Sequence, residues 1–125
     1  MKNVLLSVVL LVCVSSLQAQ PPQGRQRMSV EERAKQTTEW MTTELNLTQE
    51  QVAPVDSINL LFTKAQQVVI QAADGDRDKM RENMTALDKE KETALSKVLT
   101  SEQLDTYKKK NEEIMEKFWN RRRAQ

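Results

Sequence analysis

From residue 30 onward, apolar side chains recur at intervals of three and four, the period of a helix and not of a strand. The pattern, with the residues that open and close it, predicts four helices, over about 30–46, 49–73, 77–99 and 101–122. Three starts carry a capping box: Ser29 with Glu32, Thr48 with Gln51, and Thr100 with Gln103. In each, the hydroxyl is placed to accept an amide hydrogen while the longer side chain reaches back to the cap. Asp74-Gly75-Asp76 separates the second helix from the third. Pro54, one turn inside the second helix, removes one amide donor there. Beyond residue 28 it is the only proline and Gly75 the only glycine, as a chain of long rods joined by short turns requires.

The faces of these rods are unequal. Helix one places Val30, Ala34, Met41 and Leu45 on one stripe, with Thr37 and Thr38 beside it and Trp40 displaced. In helix two, Val52, Val55, Ile58, Phe62, Ala65, Val69, Ile70 and Ala73 form a centre that Leu61, Val68 and Ala72 extend to an arc of about 200°, twice what one packing interface needs. Leu60 stands apart on the polar side. Helix three is thinner (Met80, Met84, Leu87, Ala94, Leu95, Val98), and Lys91 interrupts it. Helix four aligns Leu104, Tyr107, Ile114 and Phe118, with Trp119 turned aside. Such faces predict an all-α protein whose second helix meets more than one neighbour.

The first 19 residues read differently. Lys2, the apolar run from Val4 to Val14 and Ser15-Ser16-Leu17-Gln18-Ala19 have the layout of a secretory signal peptide cleaved near Ala19, too short to span a bilayer. Residues 20–28, with Pro21, Pro22, Gly24 and three glutamines, are expected to be an unstructured lead-in. The helical domain is expected over 29–122, with a tail at 123–125. Without the leader, 18 basic and 18 acidic residues balance, which argues against a strongly basic nucleic-acid binder. Histidine is absent and the one cysteine, Cys13, lies in the leader, which excludes His/Cys metal centres and histidine acid–base chemistry from the mature chain.

The most specific signal is a repeat. Leu47-Thr48-Gln49-Glu50-Gln51 and Leu99-Thr100-Ser101-Glu102-Gln103 share the pattern L-T-x-x-Q, 52 residues apart, each at a helix start. With the leader, the charged helices and the scarcity of Gly and Pro, these motifs resemble the Spy/CpxP family of small bacterial periplasmic proteins, the LTxxQ-motif family, over about residues 30–120. The resemblance implies a thin, curved, antiparallel helical layer that dimerises into a cradle. It also implies ATP-independent protection of unfolded proteins during envelope stress and, in some members, restraint of a stress-sensing kinase. On this resemblance Leu47, Thr48, Gln51, Leu99, Thr100 and Gln103 are structural corners. Related metal sensors use histidines, which this chain lacks.

Other constellations favour plain readings. Asp74–Asp78 imitates the start of a calcium loop, but Lys79 and Thr85 occupy its glycine and glutamate positions. Met80 and Met84 suit core filling better than Cu(I). Lys108–Lys110 and Arg121–Arg123 read as solvated basic faces, with a basic rim for acidic clients as the alternative. The carboxylates between Asp74 and Glu92 are interleaved with lysines and arginines, like surface pairs and unlike a catalytic couple. The expectation is therefore a periplasmic, non-enzymatic chaperone-like homodimer, without cofactor, metal, nucleic acid or stable membrane insertion. Its candidate client or dimer surface is Trp40, Leu61, Val68, Trp119, Arg121 and Arg122. A regulatory adaptor for a sensor kinase is the second reading, and a metal-responsive sensor the third.

Overall fold

A computed structural model describes residues 27–125. The expected signal peptide and most of the expected lead-in at 20–28 fall outside the described residues. Within them the protein is all-α: α1 (Val30–Leu45), α2 (Gln49–Ala73), α3 (Arg77–Ser96) and α4 (Ser101–Arg123), with no strand among the described residues.

Each boundary has a local cause. Ser29 Oγ accepts from Glu32 N–H at 3.1 Å, and Glu32 Oε2 accepts from Ser29 N–H at 2.8 Å, closing the predicted box. Asn46, expected as the last helical residue of α1, is instead its left-handed cap (φ 50°), a conformation asparagine tolerates better than most residues. α2 runs unbroken through Pro54. It ends where Asp74 and Gly75 both take positive φ, 47° and 82°. Asp76 then caps α3, its Oδ1 accepting from the Asp78 and Lys79 amides at 3.1 and 3.0 Å. α3 stops at Ser96, three residues short of the expected 99. There the chain tightens into a turn, Leu99 N–H reaching Leu95 O at 2.8 Å, which leaves Leu99 buried and Thr100 free to cap α4.

Side-chain bonds set the packing. Arg33–Gln67 and Asn59–Thr38 hold α1 antiparallel to α2, and Asn111–Asp88 with Lys108–Glu92 hold α4 antiparallel to α3. Lys110 pairs with Glu44, and Trp40 meets Tyr107, so α4 returns alongside α1. The helices alternate up and down, with α1·α2 and α2·α3 closely packed and α4 lying more loosely against α3 and α1. The core cluster of Met41, Leu45, Val55, Leu95, Leu99 and Tyr107 sits at the end where both LTxxQ turns lie. Trp40, Leu47, Ile58, Val98 and Leu104 pack against it.

Candidate functional site

The twin motifs meet. Gln51 Nε2 donates to Gln103 Oε1 at 2.8 Å, and Gln103 Nε2 donates back to Gln51 Oε1 at 3.0 Å. The remaining hydrogens go to carbonyls at the ends of the opposite helices: Gln51 Nε2 to Val98 O at 3.0 Å, Gln103 Nε2 to Leu45 O at 3.2 Å. Each Oε1 also accepts its own threonine's N–H, from Thr48 and Thr100, both at 3.0 Å. Both amides thus use their two donors and two acceptor positions. In the second motif Thr100 Oγ1 accepts from Gln103 N–H at 3.2 Å, and in the first Gln51 N–H donates to the Thr48 carbonyl at 3.0 Å. Leu99 is buried in the core and Leu47 lies half-buried against it.

The residue pattern predicted the capping, though at Thr48 the carbonyl and not the hydroxyl takes the Gln51 amide, and it did not predict the pairing of the two glutamines. The signal was there in residue choice. Glutamate serves a capping box as well as glutamine does, yet two glutamates brought together would repel, whereas a carboxamide carries donor and acceptor and is complementary to its own copy.

The candidate surface residues divide. Leu61 and Val68 are 63 % and 64 % exposed, seven positions apart on one face of α2, with exposed Ala72 continuing the strip. Arg121 is exposed. Trp40, Trp119 and Arg122 are half-buried and tied into the fold. The Trp40 ring meets Tyr107 edge-on at 6.5 Å, and Trp119 meets Phe118 at 5.1 Å with the Arg81 guanidinium 5.8 Å from its ring. Arg122 lies 4.8 Å from the Phe118 ring centre and reaches Met80 Sδ at 3.9 Å, while its carbonyl accepts from Arg77 at 3.1 Å.

Concavities accompany these surfaces. A groove of about 940 Å³ runs between α1 and α2, walled by Ala34, Val52, Ala53 and Leu60 and by Thr38 and Thr42. Leu60, which stood apart on the helical wheel, is half-buried there. A second cleft, about 440 Å³, opens among the four helices where they part beyond the core. Lys91, which interrupts the α3 stripe, is buried at its wall with its ammonium 5.7 Å from the Tyr107 ring centre. Burial pushes its pKa down to about 8 although Asp88 pulls the other way. Burial, with Asp88 and Glu92 nearby, raises the Tyr107 pKa well above the usual phenol range. Among the described residues no group of three or more His, Cys, Asp or Glu side chains is arranged to hold a metal, and no helix is long and apolar enough to cross a membrane.

The fold and its paired turns define a small four-helix protein built on two interlocked helix–turn–helix corners. A family model described as a domain of unknown function, DUF4890, matches residues 18–107, and the chain belongs to that family. No curated protein and no solved structure matches it.

Proposed function

We propose that this protein is a periplasmic, ATP-independent chaperone-like protein of the Spy/CpxP kind, binding unfolded or aggregation-prone proteins under envelope stress as a homodimer. The observation that supports the reading most is the exposed strip of Leu61 and Val68 on α2. Large apolar side chains held in water on a rigid helix favour burial, each by about 1.5–3 kcal/mol when fully covered. A strip this narrow yields weak, exchangeable contacts, which suits a protein that releases clients without an energy source. The lysines and arginines of the exposed faces speed encounter with acidic segments. No catalytic role is part of this reading.

The test is an aggregation assay with two unrelated clients at near-stoichiometric ratio, comparing wild type with Leu61→Ser/Val68→Ser. Protection of both clients by wild type, reduced in the variant, is expected. Protection of neither overturns the chaperone reading, and binding to one sensor-kinase domain alone favours the adaptor reading. Sedimentation of the same proteins reports whether the strip also holds a second subunit.

A further inference from the structure

The cleft among the four helices has an unusual lining. It presents two cations, Lys91 and Arg33, and no carboxylate. Lys91 is only 7 % exposed, yet among the described residues no hydrogen bond or ion pair engages its ammonium, and the Tyr107 ring is its near neighbour. Arg33 gives one guanidinium nitrogen to Gln67 Oε1 at 2.7 Å, but its buried Nε has no partner. Asp88, the acid nearest Lys91 in charge, accepts from Asn111 Nδ2 at 2.8 Å and does not reach the ammonium. Trp40, Tyr107 and Met115 supply apolar wall, and Ile114, 47 % exposed, stands at the mouth.

A buried cation costs free energy unless something pairs with it. Here the missing partner is an acceptor, and the space in front of it is lined by aromatic and aliphatic surface. The volume lies within the roughly 300–1,000 Å³ of small-molecule clefts. We infer that this cleft is a binding site for a small amphipathic monocarboxylate, its carboxylate held by Lys91 within a lining that also carries Arg33, its hydrocarbon body against Trp40, Tyr107 and Ile114. A charge-assisted bond would give the Lys91 ammonium the acceptor it lacks. The site is separate from the exposed strip of α2 and does not depend on the chaperone reading.

Calorimetric titration of the full helical chain with octanoate, octan-1-ol and acetate tests it. Octanoate is expected to bind about tenfold or more tighter than the alcohol of equal length, and acetate not measurably. Lys91→Met, with folding checked by circular dichroism, should abolish the preference for the acid, and Lys91→Arg should retain much of it. Leu61→Ser/Val68→Ser should bind octanoate as wild type does. Equal binding of octanoate and octanol, an undiminished preference in Lys91→Met, loss of octanoate binding in the α2 variant, or no binding at all would each overturn the assignment.

Discussion

The two ends of the bundle are built on different physics. At the end with the LTxxQ turns, Met41, Val55, Leu95 and Tyr107 are almost wholly buried, and the Gln51–Gln103 pair bonds four backbone groups from both halves of the chain. Toward the other end a cleft opens with Lys91 at its wall, Val68 and Ile70 face water although the α2 period put Ile70 in the apolar centre, and cations on aromatic rings join the buried Ala73 and Met80. A chain with 19 Leu, Ile, Val and Phe residues from position 20 onward has too few to fill two ends. Concentrating them around the paired turns secures the fold there and leaves the remainder open. Exposed apolar surface and a part-hydrated cleft can then coexist with a cooperative core, because stability need not be uniform across a structure.

Core truncation should break this contrast most strongly. Leu95→Ala is expected to destabilise by about 2–5 kcal/mol, while Ile70→Ala at the open end costs less than about 1 kcal/mol, both read from urea unfolding. Comparable losses at the two positions would mean that the open end is packed after all.

Proton linkage probes the boundary between the ends. Lys91 is depressed to about 8 from an ordinary 10.5, so between those values the unfolded chain carries a proton that the folded chain has released. Stability should therefore rise with pH across that window, by about 2–3 kcal/mol by pH 10. Above about pH 10 the unfolded tyrosine ionises while folded Tyr107 keeps its proton, so stability should fall again. Melting curves from pH 7 to 11 should show this maximum, and Lys91→Met should remove the rise and be more stable than wild type at pH 7. A flat profile in wild type would place the ammonium in water.

The glutamine pair sharpens the other side. Gln51→Ala and Gln103→Ala are each expected to cost about 1–3 kcal/mol, since each strands the partner amide and a cap. The double variant should lose clearly less than the sum, a coupling measurable by a double-mutant cycle. Full additivity would show that the two turns act independently.

Much of this architecture was legible before any coordinates. Ser29, Asp76 and Thr100 begin their helices as local chemistry requires, and α1 buries Ala34, Met41 and Leu45 as its period predicts. Trp40 sits off the α1 stripe in projection, yet it packs on Tyr107 from α4, a neighbour no helical wheel can reveal. Lys91 reads as an interruption on one helix. Its burial depends on a long aliphatic stem lying along apolar neighbours and on the aromatic face another helix brings to it. Leu60 and Leu61 are adjacent in the chain, yet α1 shelters the first and nothing among the described residues covers the second.

By itself the amino-acid order determined the helices, their caps and the width of the α2 face, because these depend on interactions within one turn or along one rod. Which apolar residues stay in water, which cation is buried without an acceptor, and the clasp of two glutamines 52 residues apart were decided only when the rods packed together. Those outcomes depend on which surfaces of separate helices meet, and that is a property of the assembled fold.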